Sequence, residues 1–153
     1  MPMAFTPLDP DFERRVRTSF ARQAAMGLIG ATMTAVEPGR CIIELPVRGD
    51  LTQQHGFVHG GIVGMIADSA GGYAAYTLMP ADASVLTVEY KINMLAPAKG
   101  ERLVARGEVL KPGRTLSIVR ADVFAIDAGG EKLIAAMQQT LMVMHGVSDE
   151  PRV

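Results

Sequence analysis

Between Gly60 and Met79 the chain runs for 20 residues with one charge, Asp68, and five glycines. Such a segment has no polar face wide enough for the surface of a soluble helix, so it either crosses a bilayer or is enclosed by protein. Five glycines, a central carboxylate, no basic flanks and no second apolar segment all argue against a bilayer. What remains is a helix buried on nearly all sides. Gly60, Gly61, Gly64, Gly71 and Gly72 would each cost about 1 kcal/mol relative to alanine in a helix interior, so a close approach must offset them. A sheet wrapped tightly round the helix would provide it.

The flanking sequence supplies that sheet. Asp9-Pro10 reads as an N-cap acid with proline at the first helical position, and Phe12, Val16 and Phe20 then recur four apart among arginines. This predicts an amphipathic N-terminal helix over about 10–27, ended by Gly27. Ile29–Glu37 and Cys41–Arg48 alternate as strands about the turn Glu37-Pro38-Gly39-Arg40, which predicts a β-hairpin. After the central helix, about 60–79, four more strands are expected: Ser84–Leu95, Arg102–Leu110, Arg114–Ile126 and Lys132–Met144. Their joints are short and rich in Pro and Gly, so an antiparallel meander is expected, because parallel neighbours need crossovers of a dozen residues or more. The order predicts one α+β domain over 1–153, its single sheet of about six strands curled round one helix.

A chain of 153 residues with 48% hydrophobic and 20% charged side chains is large enough for such a core. Its net charge of −1 offers no basic field for DNA or RNA, so nucleic acid is not an expected partner. Cys41, the one cysteine, cannot bridge within the chain, and the opening residues MPMAFTPLDP lack the regions of a secretory signal. A cytoplasmic location is expected.

The chemistry concentrates in Gln53-Gln54-His55-Gly56-Phe57-Val58-His59-Gly60-Gly61 and the helix that follows. A helix start presents unpaired N–H groups and the positive end of the dipole, and its glycines either permit a tight turn or let a carbonyl oxygen approach. Asp68 favours the second reading, since a carboxylate midway along an apolar helix is rarely left without a task or a partner. It lies eight residues beyond Gly60, about 12 Å along the same axis at 1.5 Å per residue. Asp68 therefore cannot reach a carbonyl held at its own helix start. If both groups serve one site, a second copy must supply one of them, with two such helices antiparallel across a two-fold axis. Metal binding is not expected: His55 and His59 are four apart, but Gly56 stands where a zinc-protease helix carries glutamate and no third ligand is evident. No nucleophile elbow or phosphate loop is present.

These residues resemble the hotdog-fold acyl-CoA thioesterases, in particular the phenylacetic-acid-degradation (PaaI-like) group. The resemblance rests on His59-Gly60-Gly61 with Asp68 nine residues after the histidine, on Thr87-Val88-Glu89-Tyr90-Lys91-Ile92-Asn93-Met94-Leu95-Ala96-Pro97-Ala98, and on Gly113-Arg114. It implies a hotdog fold, hydrolysis of an acyl-CoA to free acid and coenzyme A, and a dimer or a tetramer built as a dimer of dimers. No cofactor is implied beyond the coenzyme A of the substrate. Carried over, the family acid falls on Asp68, the polarising backbone N–H on Gly60, the motif histidine on His59 and a water-orienting hydroxyl on Thr87. Where relatives commonly carry asparagine six residues before the histidine, this chain has Gln53. Around these, Gly61, Phe57, Val58, Met65 and Tyr73 are expected to meet the substrate, with Arg114 and Lys111 as cations for its phosphates. Two other activities fit a hotdog module: acyl-CoA or acyl-carrier-protein binding without turnover, and hydration of enoyl thioesters.

Overall fold

The computed structural model describes residues 4–151. Its elements are α1 (Phe12–Arg22), α2 (Ala24–Ile29), β1 (Thr32–Glu37), β2 (Arg40–Pro46), α3 (Gly60–Tyr76), β3 (Ala83–Met94), β4 (Arg102–Lys111), β5 (Leu116–Asp127) and β6 (Gly130–His145), with a 3-10 turn at Gly49–Leu51. All six strands form one antiparallel sheet that wraps α3, the hotdog arrangement. Among the described residues no helix is long and apolar enough to cross a membrane.

The N-terminal helix is two helices rather than one. Asp9 Oδ1 accepts the Asp11 N–H at 2.9 Å, a side-chain turn that delays the first helical residue to Phe12. Gln23, at ψ 90°, then breaks the run, and the chain ends its second helix at Gly30 rather than Gly27. The reason is conformational: Gly30 has φ 79°, the left-handed region that a C-terminal cap uses, whereas Gly27 lies within the turn of α2.

The hairpin of β1 and β2 turns on Pro38 and Gly39 as expected, and Cys41, Ile43 and Leu45 face inward. The expected meander holds only for β4, β5 and β6. The strand order is β1-β2-β4-β5-β6-β3, so β3 pairs with β6 and not with its successor β4. The short joint after β3 instead runs across the ends of β6 and β5: Leu95 donates to the Ile134 carbonyl at 2.8 Å, and Glu101 to that of Ile126 at 2.8 Å. Its length is therefore compatible with an antiparallel neighbour or with this passage, and the passage leaves β3 as a 12-residue edge strand.

Helix α3 stops at Tyr76, three residues short of Met79. Thr77 donates its hydroxyl to the Ala74 carbonyl at 2.6 Å while accepting the Gly39 N–H at 2.8 Å, and Arg15 donates to the carbonyls of Tyr76 and Met79 at 3.1 and 2.8 Å. Those carbonyls are thus satisfied by side chains instead of another helical turn. Every residue from Ser69 to Tyr76 is buried. Of the five helix glycines, Gly71 needs the closeness to the sheet most: a Cβ there would overlap the Gln139 amide of β6 and lie 3.1 Å from Val119 of β5. At Gly64 and Gly72 a Cβ would make only ordinary contacts, 3.7 and 3.9 Å from its nearest neighbours, so tight wrapping does not account for those two.

Candidate active site

The segment before α3 is pinned by its own backbone. Gln53 donates its N–H to the Phe57 carbonyl at 2.8 Å, Val58 donates to Ala98 at 2.8 Å, and His59 to Leu51 at 2.9 Å. His59 is then the N-cap of α3, its Nδ1 accepting the Gly61 N–H at 2.8 Å. An accepting Nδ1 puts the ring proton on Nε2. The Ile62 and Val63 N–H groups close on the His59 carbonyl at 2.9 and 3.1 Å. Of the first N–H groups of α3, only that of Gly60 donates to no group among the described residues. It stands at the positive end of the helix dipole.

Asp68 lies half-buried two turns along α3, with both nearby strands donating to the same carboxylate oxygen. Thr87 of β3 donates its hydroxyl to Oδ1 at 2.7 Å, and Gln139 of β6 donates its amide Nε2 to Oδ1 at 2.9 Å. The other oxygen, Oδ2, has no donor among the described residues. The carboxylate opens on a cleft of ≈ 310 Å³ lined also by Ser19, Gln23, Tyr73, Leu86 and Asp149. Within it the Tyr73 hydroxyl lies 3.1 Å from Ser19 Oγ, and burial pushes the Tyr73 phenol up to about 12, so it stays neutral.

The other residues singled out from the sequence are dispersed. The Gln53 side-chain carbonyl accepts the N–H of His55, so its amide closes its own loop. Val58 is 3% exposed and belongs to the hydrophobic core, whereas Phe57 and Met65 are half-buried. Gly61, Met65 and Asp68 share one face of α3, and it is the face the sheet leaves uncovered. Lys111 ends β4, and Arg114 follows in the turn beside Ala75 and Leu78, at the opposite end of α3 from Gly60. Neither cation lines the Asp68 cleft of its own protomer.

The sequence pattern does not single out Gln139. The available signal was a polar residue in the inward register of β6, between Ala135, Met137, Leu141 and Val143. That register alone did not say what the amide would meet, because Asp68 is 71 residues away.

The fold agrees with what is found in other proteins. The thioesterase superfamily model matches residues 55–131, half of the chain. A thioesterase family protein of Silicibacter pomeroyi has a solved structure that superposes with a TM-score of 0.87 at 50% identity, covering 88% of this chain and 99% of that one. A Saccharolobus solfataricus protein named as a candidate esterase is 37% identical over 57% of this chain and 61% of its own length. Acyl-coenzyme A thioesterase 13 of Homo sapiens is 32% identical over 71% of this chain and 76% of its own. The chain belongs to the thioesterase superfamily and is a thioester hydrolase.

Proposed function

We propose that the protein hydrolyses an acyl-CoA to the free acid and coenzyme A, with Asp68 of one protomer facing the Gly60 N–H of another. The observation that carries this reading is the state of the carboxylate: Oδ1 is held by two donors and Oδ2 is left free toward a cleft. A carboxylate so oriented presents one oxygen either to a water or to the thioester carbon itself. Water adds to the carbonyl carbon, its proton passes to Asp68, and the C–S bond breaks to release the thiolate, which takes up the proton. In direct attack Oδ2 forms an anhydride that water then opens. The Thr87 hydroxyl, donating to Oδ1, keeps its lone pairs free to accept from that water. An unpartnered N–H at a helix start stabilises the developing oxyanion.

Two features favour a second copy. Gly60 and Asp68 are about 12 Å apart on one straight helix, too far to share a carbonyl. Among the described residues, strand β3 also leaves one edge unpaired over its length, and it exposes Leu86, Val88 and Tyr90 by 58%, 53% and 48%. Pairing β3 with its equivalent about a two-fold axis would cover that edge and lay the open faces of two α3 helices together. His59, as N-cap, holds the loop that presents Gly60, while Arg114 and Lys111 supply cations for the phosphates from the rim of the dimer.

The test is turnover of short, medium, long and aryl acyl-CoAs by the wild type and by Asp68→Asn, followed by thiol trapping. We expect the variant to lose at least ~10²–10³ in kcat. Undiminished turnover would defeat the proposal. Binding of acyl-CoA by the wild type without thiol release would instead mark a binding module, and loss of enoyl absorbance a hydratase.

A further inference from the structure

Gln139 is the one fully buried polar side chain that touches the candidate catalytic carboxylate, at 1% exposure on the inward face of β6. Its amide is used on one side only. Nε2 donates to Asp68 Oδ1 at 2.9 Å and approaches the Asp68 backbone carbonyl at 3.4 Å, whereas Oε1 is buried with no donor among the described residues. The orientation is nonetheless dictated, because turning the amide over would set its carbonyl oxygen against the carboxylate. A buried acceptor left unsatisfied is uncommon and calls for a compensating role.

The helix is built to admit this amide. Gly71 stands opposite it, and a Cβ at that position would lie 2.7 Å from Gln139 Cδ and closer still to Oε1. A glycine in the middle of α3, costly to the helix, thus makes the space in which a strand side chain reaches Asp68 three residues earlier on the same helix. Thr87 reaches the same oxygen from β3. One carboxylate oxygen is therefore locked from two strands and the other is free.

We propose that Gln139, given room by Gly71, is a positioning residue that fixes the Asp68 carboxylate with Oδ1 occupied, so that Oδ2 is the reactive oxygen. This rests on the thioesterase reading above. The mechanism is orientation: with Oδ1 taken by two donors, the carboxylate cannot turn and Oδ2 stays presented. The titratable neighbours are few: α3 contributes Tyr73 and the C-terminal segment Asp149, while the polar groups added by Ser19 of α1, Gln23 just after it and Thr87 of β3 are not acids or bases in this range. Asp149 itself sits 4.0 Å from Arg22. No Lys, Arg or His lines the cleft among the described residues, so the groups that fix the carboxylate are neutral donors.

Two variants separate positioning from packing. Gln139→Met keeps the volume and removes the donor; kcat should fall by ~10²-fold, with KM little changed. Gln139→Glu keeps the shape and donates only while protonated, so its activity should fall as pH rises, which a merely structural role would not produce. If both variants fold and show the wild-type kcat and pH profile, the proposal is overturned. A second measurement needs no change at Gln139 and no turnover: the side-chain amide resonances of Gln139 in the wild type should follow the ionisation of Asp68, and that response should vanish in Asp68→Asn. Amide resonances indifferent to Asp68 would sink the positioning role even if acyl-CoA is hydrolysed. An intact response in a protein that cleaves no acyl-CoA would instead fault the thioesterase reading alone.

Discussion

At Gly107 a hydrogen is all that fits. A Cβ there would overlap the Ala70 carbonyl and lie 2.7 Å from the Gly71 nitrogen, both of them backbone and unable to swing aside. Gly107 on β4 and Gly71 on α3 thus form the closest seam between helix and sheet. Replacing Gly107 by alanine should cost about 1–3 kcal/mol or more by overpacking, seen as a lower midpoint in denaturant unfolding. At the same scale Asp68, His59 and Gly60 stood out in the sequence because a charge or a glycine is anomalous in an apolar helix. Gln139 did not, since one amide in an inward register is an anomaly without an address. Gln53 shows the opposite limit: its place in the motif was legible, but the structure turns its side-chain carbonyl to the His55 N–H.

Among the elements, α3 and β3 shape the surroundings of Asp68. Helix α3 is enclosed by the sheet except along Gly61, Met65 and Asp68, and β3 ends the sheet with one edge unpaired. Val88 lies on that edge at a bulge between Thr87 and Glu89, 53% exposed. Val88→Lys places a charge where a second strand would pair and removes little from the core. It should yield a folded monomer with greatly reduced turnover, checked by light scattering and kinetics together; a monomer with full activity would contradict the shared site. Element types were readable from periodicity, but their pairing was less so. The joint after β3 is as short as a hairpin connection, and only the completed sheet reveals that it crosses the ends of two strands.

Over the whole molecule, buried weak acids lower stability at alkaline pH: burial raises Cys41, Tyr73 and also Tyr76. Burial pushes the Cys41 thiol from 9.0 up to about 12, and the Tyr73 phenol from 10.0 up to about 12. In the unfolded chain each loses its proton near its ordinary value, while the folded protein keeps it. The unfolded state then binds fewer protons, so stability declines as pH rises from about 9 toward 12, by up to about 1.4 kcal/mol per unit for each group in that range. Unfolding at pH 8, 9, 10 and 11 should show the decline, and Cys41→Ala should lessen it. A flat profile would mean that these groups are reached by solvent.

Local sequence alone requires that one helix be buried and that strands surround it, and it marks one acid and one helix start as anomalous. Those conclusions follow from local chemistry, because periodicity, glycine cost and a lone charge are properties of neighbouring residues. The tertiary structure decided which strand lies beside which, that β3 is an edge, and that Gln139 and Thr87 converge on one oxygen of Asp68. These depend on contacts between residues far apart in the chain, and local pattern cannot specify a register that only the closed sheet imposes.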